Sequence, residues 1–192
     1  MAAQRIPYIT PEEYLERERR AEVRSEYRGG EIVAMSGASE THNQINANLG
    51  GLLYNALRGT GCRHYQNDMR VAIRRGTRFV YPDTLVVCGE RHFTDDVPDT
   101  LANPTLIIEV LSESTEAYDR GEKFLWYQQI ESLREYVLVA QVPYTVERYV
   151  REGDHWRYVA VRGSDATVTL ESVGVTLRLA DIYEGVTVAP QE

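Results

Sequence analysis

Cysteines and long apolar runs are both scarce in this sequence. Of 192 residues only two, Cys62 and Cys88, are cysteine. Two are too few for a disulfide framework and lack metal-ligand spacing, so we expect free thiols in a reducing compartment. The first residues lack a signal-type apolar stretch, and no run approaches the roughly 18 apolar residues of a membrane span. We therefore expect a cytoplasmic protein that does not enter a membrane.

An excess of basic charge is also missing. The chain has 21 Lys and Arg against 29 Asp and Glu, a formal net charge of -8. Broad nonspecific adhesion to nucleic acid normally requires a basic surface, so the charge argues against it but leaves room for a local site. A local arginine cluster surrounds a Gly-containing turn, at Arg70, Arg74, Arg75 and Arg78. It is either a solvated hairpin tip or a nucleic-acid contact.

What the chain does contain is typical of a globular protein. Hydrophobic residues make up 43% and charged residues 26%, and the length suits one domain. We expect a single domain over residues 1–192. Its parts would be an N-terminal helix and hairpin at 8–36, a core at about 39–141 and a β-rich extension at 144–188.

Two helices are predicted before the first long strand. Thr10 and Glu13 form a capping-box pattern, which predicts a helix running to about Tyr27. A turn at Gly29 and Gly30 leads into a short strand. A second helix then begins near Ser39, because apolar residues recur at helical spacing from Ile45 onward.

The rest of the core alternates strands with one more helix. Residues 63–74 and 78–88 read as two strands joined by a hairpin, and 89–103 as a polar loop. A strand around Glu109, a helix over 115–130 and a strand over 134–140 follow. The core order is therefore helix, three strands, helix, strand, with short antiparallel strands after Tyr144.

Two acidic residues interrupt otherwise apolar strands. Glu109 lies in the run 104–112, and Asp83 lies in the run 79–87. Burying an ionised carboxylate without a partner costs several kcal/mol, so such an acid usually has a cation or a raised pKa. Two carboxylates on neighbouring strands would form a site for Mg²⁺ or Mn²⁺, which prefer oxygen ligands.

The ordered set of motifs resembles the PD-(D/E)XK nuclease superfamily. Pro82 and Asp83 correspond to the PD element, and Glu109 to the second acid. Over roughly residues 8–185 the chain resembles, within that superfamily, the Uma-two family of restriction-endonuclease-like proteins. The matching positions are Tyr8 to Tyr14, Gly30 to Met35, His42, Tyr81 to Asp83, Ile108 to Ser112, Asp119 to Lys123, and Glu135 with Tyr136.

The resemblance implies an α/β (α+β) fold with a restriction-endonuclease-like core, a mixed β-sheet flanked by helices in the order αβββαβ, and antiparallel C-terminal strands. It also implies a divalent-metal site in which Asp83, Glu109 and the carbonyl of Val110 hold Mg²⁺ or Mn²⁺. The superfamily has Lys two residues after the second acid, where this chain has Leu111. Residues 109 and 111 share a strand face, so Leu111 takes the place where the superfamily has its lysine. The nearest lysine that could replace it is Lys123 on the following helix.

Two accessory residues complete the expected site. Glu26, at the end of the first predicted helix, would be a metal ligand, and His42 would contact water or phosphate. Each expected site residue also has a purely structural interpretation. Glu109 could pair with a buried base, and Asp83 could be a turn residue. Lys123 could pair with Asp119 along the helix. Glu26 could be one of many charged residues in its predicted helix, and His42 could be a core or cap residue.

These residues favour a metal-dependent endonuclease that acts on DNA, with a homodimer as the simplest way to cut both strands. Two alternatives stay open. Leu111 and the acidic charge favour a nuclease-like module that binds without catalysis. A hydrolase of a small phosphodiester would also suit an acidic protein.

Overall fold

The computed structural model describes residues 8–187, without the side chain of Arg75. The strands are β1 Ser25–Arg28, β2 Ile32–Ala34, β3 Cys62–Gln66, β4 Arg70–Ile73, β5 Arg78–Val80, β6 Thr84–Cys88, β7 Thr100–Leu101, β8 Leu106–Val110, β9 Glu135–Val139, β10 Thr145–Glu152, β11 His155–Arg162, β12 Thr167–Leu170 and β13 Val175–Arg178. The helices are α1 Pro11–Glu18, α2 Glu40–Leu57, α3 Glu116–Tyr118, α4 Phe124–Tyr127 and α5 Leu179–Ile182. A π-helical turn, Asp119–Lys123, joins α3 to α4. Over this range no helix could cross a bilayer.

The central sheet has six strands in the order β11-β10-β9-β8-β6-β3. Strands β8 and β9 are parallel, and β8 and β6 are antiparallel neighbours. Along the chain the core therefore runs from α2 through β3, β6 and β8 to the helix of α3 and α4, then β9. This order confirms the predicted αβββαβ core, and the hairpin of β10 and β11 extends the sheet antiparallel.

Residues of β8 alternate between two apolar cores. Leu106, Ile108 and Val110 pack with α2 and the β12-β13 hairpin on one face. Ile107 and Leu111 pack with α4 on the other face. Because side chains of a strand alternate between faces, Glu109 must point toward the helix of α3 and α4.

The two predicted long strands, 63–74 and 78–88, are each broken in two. The outer pieces, β4 and β5, leave the central sheet and join a second sheet in the order β2-β1-β5-β4-β7. At the breaks Asn67 has a φ of 56°, and the stretch 81–83 lies between β5 and β6. The predicted hairpin is confirmed, with a 3-10 turn at Arg74–Gly76. Asp83 consequently lies at a strand break, not inside a strand.

The first helix is shorter than predicted. Its capping box at Thr10 is present, but α1 ends at Glu18. The Glu18 carboxylate accepts hydrogen bonds from the backbone and hydroxyl of Ser25, which turns the chain into β1. Tyr27 then packs against Tyr14 and Phe79, and this burial stabilises a strand where the helix was expected. Glu26 therefore lies on a strand.

The expectation of two free thiols is wrong. Cys62 and Cys88 form a disulfide. They are directly opposite in the antiparallel register of β3 and β6, with Cα atoms 4.0 Å apart. Pairing of these strands, which lie 26 residues apart in sequence, brings the two sulfur atoms together, and sequence spacing alone does not reveal such pairing.

Candidate functional site

Glu109 is buried between β8 and the helix above it. The residue is 2% exposed. The Tyr127 hydroxyl donates to its Oε1 at 2.8 Å, and the Lys123 ammonium lies 2.8 Å from the same oxygen. The other oxygen, Oε2, accepts the backbone N–H of Asp83 at 3.2 Å. Each carboxylate oxygen thus has a hydrogen-bond donor, as a buried polar group requires.

Asp83 and Glu109 are joined by reciprocal backbone contacts. While Glu109 accepts the Asp83 amide, Oδ2 of Asp83 accepts the amide of Val110 at 2.7 Å. Oδ1 of Asp83 lies 3.1 Å from Nε2 of His42, at the start of α2. The strand break positions both acids, and they lie next to each other at the ends of neighbouring strands.

A buried amide network fixes the strand break beside Asp83. Asn46 on α2 is 3% exposed. Its side-chain oxygen accepts the Thr84 hydroxyl at 2.8 Å, and its amide donates to Asn67 at 2.7 Å. Gln66 also donates to the Asn46 side chain and backbone. This network was not predicted, because one polar residue on a helix reveals no partners.

Lys123 is buried among three carboxylates. Its Nζ lies 2.8 Å from Glu109, 3.4 Å from Asp119 and 3.7 Å from Glu26. Asp119 and Lys123 are the ends of the π-helical turn, a feature found frequently at functional sites. Leu111, two residues after Glu109, is 4% exposed and part of the apolar core. The ammonium that faces Glu109 therefore comes from the helix.

Glu26 reaches the site from the second sheet. It is 5% exposed and accepts the Tyr118 hydroxyl at 2.8 Å and an Arg28 N–H at 2.9 Å. Glu26 thus connects Lys123 to Arg28, and its closest partners are donors. The structure brings together all five of the expected acids and bases: Asp83, Glu109, Lys123, Glu26 and His42.

Burial and the charges of neighbouring acids together set the ionisation of the site. Burial opposes a charge on Lys123, but Glu109, Glu26 and Asp119 raise its pKa well above the usual value. Burial likewise would lower the pKa of His42, yet Asp83 and Asp119 raise it overall. Burial raises the pKa of Asp119. Lys123 therefore keeps its ammonium charge at neutral pH.

The donor set fits a divalent cation in chemistry. Asp83 and Glu109 offer carboxylate oxygens, the ligands that Mg²⁺ and Mn²⁺ prefer. Val110 directs its amide toward Asp83, and the carbonyl of a strand residue points to the same side as its amide. Within residues 8–187 no three His, Cys, Asp or Glu side chains form a ready metal cluster. Two carboxylates and one carbonyl nevertheless suit Mg²⁺, because this ion keeps several water ligands.

A family model described as "Uma2: Putative restriction endonuclease" matches residues 11–180. The chain belongs to the Uma2 family. This confirms the resemblance drawn from the motifs.

Two curated relatives of this Uma2 protein come from Synechocystis sp. The uncharacterized protein sll1609 is 39% identical over 164 residues, covering 83% of this chain and 91% of the relative. The uncharacterized protein slr1290 is 36% identical over 183 residues, covering 94% of each. Neither name states an activity.

A solved structure shows the same fold as this Uma2 chain. It is a crystal structure from Anabaena variabilis, titled as "a putative nuclease belonging to DUF820". The two structures superpose with a TM-score of 0.75 at 20% identity, covering 93% of this chain and 99% of the other. The predicted restriction-endonuclease-like fold is confirmed.

The arginine cluster of this Uma2 protein does not form one surface. Arg70 is 2% exposed, donates to Thr100 and Tyr81, and pairs with Asp99, so its predicted nucleic-acid contact is wrong. Arg74 is exposed, with a φ of 49°. The Arg75 side chain lies outside the described part of the structure. Arg78 leaves the turn on β5 and is half-buried.

Proposed function

We propose that this Uma2 protein is a divalent-metal-dependent nuclease that hydrolyses phosphodiester bonds in DNA. One observation carries the proposal. Asp83 and Glu109 meet at the ends of neighbouring strands, with the Lys123 ammonium 2.8 Å from Glu109. Two acids and a lysine are the groups that the motif resemblance assigns to metal binding and hydrolysis.

The residues divide the work between holding the ion and handling charge. Asp83, Glu109 and the Val110 carbonyl would hold Mg²⁺ or Mn²⁺, which lowers the pKa of bound water and neutralises phosphate charge. Lys123 stays protonated and donates Nζ–H bonds to an attacking water or to a phosphate oxygen. Glu26 and Asp119 hold that ammonium in place from two further sides.

His42 contributes from α2, on the Oδ1 side of Asp83. Its Nε2 faces Asp83, and its Nδ1 is buried without a hydrogen-bond partner in the part of the chain that the structure describes. A buried nitrogen without a partner costs about 1–3 kcal/mol, and a substrate-side water or phosphate oxygen would satisfy it. We therefore assign His42 the role of positioning that water or phosphate oxygen.

Cleavage assays test this proposal. Supercoiled plasmid and single-stranded DNA are incubated with Mg²⁺ or Mn²⁺ and wild-type protein, Asp83→Asn or Glu109→Gln. We expect both variants to lose metal-dependent cleavage while their thermal unfolding stays cooperative. Asp154→Asn, an isosteric change at an exposed aspartate in the β10-β11 turn, is the matched control and should cleave normally. Retained activity in either site variant would refute the proposal.

A noncatalytic binding module is the second candidate. Leu111 occupies the usual lysine position, and every oxygen of Asp83 and Glu109 already accepts a protein donor.

A hydrolase of small phosphodiesters is the third candidate, and the net charge of -8 favours it. Salt dependence distinguishes a DNA-binding protein from such an enzyme. DNA binding weakens steeply as salt rises, whereas the reaction of a small substrate barely changes.

Two further parts of the proposal concern the oligomeric state and the cellular location. A homodimer would present two equivalent centres to the two DNA strands, and light scattering on the purified protein tests it. A cytoplasmic location is tested by fractionation of cells that express the protein.

A further inference from the structure

Two arginines lie directly opposite each other on the face of the second sheet that carries Glu26. Arg28 on β1 pairs with Arg78 on β5 in the antiparallel register. Glu26 and Arg28 are two residues apart on β1, so their side chains share one face. Like charges directly opposite on neighbouring strands are destabilising. The arrangement therefore needs a compensating interaction.

Aromatic rings of the covering helix provide part of that compensation. The guanidinium carbon of Arg78 lies 4.6 Å from the centre of the Trp126 ring, and that of Arg28 lies 5.9 Å from it. Arg28 also lies 4.1 Å from the Tyr118 ring centre. Stacking on an aromatic face holds each guanidinium in a fixed plane and leaves its N–H groups free for an anion.

The hydrogen-bonding capacity of the pair is not used up. Arg28 has one carboxylate partner, Glu26 at 2.9 Å. Arg78 has no carboxylate within 4 Å among residues 8–187, and the Nε atoms of both arginines are buried without a partner. The side chain of Arg28 is 27% exposed. Of the two arginines, Arg28 alone has a carboxylate partner among the described residues, and both side chains keep spare donors.

The pair is continuous with the candidate nuclease centre. Glu26 contacts Lys123 on one side and Arg28 on the other, and Lys123 contacts Glu109. Successive same-face residues on a strand are about 7 Å apart. A DNA strand whose reacting phosphate lies at Asp83 and Glu109 would bring a neighbouring phosphate toward the arginines.

We propose that Arg28 and Arg78, stacked on Trp126 and Tyr118, form a second phosphate subsite that holds a neighbouring phosphate of the substrate strand. This inference rests on the proposed nuclease function. A phosphodiester oxyanion suits the pair because planar guanidinium groups donate two parallel bonds to phosphate. It would also offset the repulsion between the two cations.

Binding without catalysis tests the subsite separately from the nuclease. A fluorescently labelled single-stranded deoxyoligonucleotide is titrated with protein in EDTA, at several salt concentrations, and anisotropy is measured. For Arg78→Gln we expect binding about 10-fold weaker and a salt dependence smaller by about 0.7 in log–log slope, the loss of one phosphate contact. Arg58→Gln, the matched control, should bind like wild type.

The control residue is well separated from the subsite. Arg58 is exposed at the C-terminal end of α2, about 24 Å along the helix from His42. Equal affinity and slope for Arg78→Gln and Arg58→Gln would overturn the subsite, as would wild-type protein that does not bind the oligonucleotide. If wild-type protein binds the oligonucleotide through Arg78 but does not cleave DNA, the proposed nuclease activity is refuted and the subsite is not.

A second variant covers a failure of Arg78→Gln to fold. Arg78→Lys keeps the charge but cannot make planar, bidentate contacts. We expect it to keep the wild-type salt slope and to bind more weakly. If Arg78→Gln does not fold and Arg78→Lys does, wild-type affinity in Arg78→Lys would overturn the subsite.

Discussion

Lys123 carries the charge balance of the candidate site. It is 6% exposed and within 4 Å of Glu109, Asp119 and Glu26. Of the described cations, it is the one that contacts Glu109. The stability of these buried acids should therefore depend on this one ammonium group.

We expect Lys123→Met to destabilise the protein by roughly 3–5 kcal/mol, because it leaves buried carboxylates without their cation. The double variant Lys123→Met, Glu109→Gln should regain part of this loss, since the amide removes one uncompensated charge. Urea unfolding of both variants and of Glu109→Gln gives the coupling energy. Additive losses in the double variant would contradict direct pairing of the two residues.

Residue types predicted part of this site. Asp83 and Glu109 stood out because each interrupts an apolar run, and Lys123 was the nearest base on the next helix. The hydroxyls of Tyr118 and Tyr127, which donate to Glu26 and Glu109, were not predicted as part of the site. An aromatic residue at helical spacing does not show where its hydroxyl points.

At the scale of elements, the loop between β6 and β7 is tied to the C-terminal end of α1 and to β4 by ion pairs. Asp99 lies 2.8 Å from Arg19 and 3.0 Å from Arg70. Although burial opposes it, hydrogen bonds from Arg19 and Thr100 and the charge of Arg70 lower the pKa of Asp99 to about 2. The ionised carboxylate thus helps to join three separate elements.

This shift predicts an acid-dependent part of the stability. Because the folded pKa lies below the ordinary value of 3.8, the contribution of Asp99 is present above about pH 4 and is lost as the pH falls toward 2. Its side chain is 31% exposed, so we expect about 1 kcal/mol after solvent screening. Asp99→Asn should flatten urea stability over that range. An unchanged pH profile would contradict the ion-pair account.

Element order was predictable, but element ends were not. Hydrophobic periodicity predicts the αβββαβ order, and the structure confirms that order. The breaks in 63–74 and 78–88 were missed because the residues on both sides of each break have strand-like patterns. Turn-forming residues do occur at the breaks, Asn67 with Asp68 and Pro82 with Asp83. Contacts distant in sequence decide the breaks, above all those of Asn46 with Asn67 and Thr84. The end of α1 likewise depends on Tyr27 packing in a distant core.

At the scale of the whole molecule, the Cys62–Cys88 disulfide closes a loop that contains β4, β5 and Asp83. It joins the edge strand β3 to β6 at the end of β6 that is farther from Asp83. Bridges of this kind persist in oxidising compartments and are rare in the cytosol. The cytoplasmic location stays a prediction, and thiol titration of protein purified under anaerobic conditions measures the redox state there.

Removal of the disulfide should lower stability by about 3 kcal/mol, because the unfolded chain loses a constraint on a loop of this length. The double variant Cys62→Ser, Cys88→Ser and reduced wild-type protein should show the same lower urea midpoint. A midpoint equal to that of oxidised wild type would show that the strand pairing alone holds this region.

Calorimetric titration of Mn²⁺ and Mg²⁺ tests the central claim most directly, because it requires no choice of substrate. Wild-type protein is titrated beside the double variant Asp83→Ala, Glu109→Ala and the control Asp154→Asn. We predict binding by wild type and control that is absent from the double variant. Equal heats in all three proteins, or no binding by any, would contradict a divalent-metal centre formed by Asp83 and Glu109 and would favour the noncatalytic module.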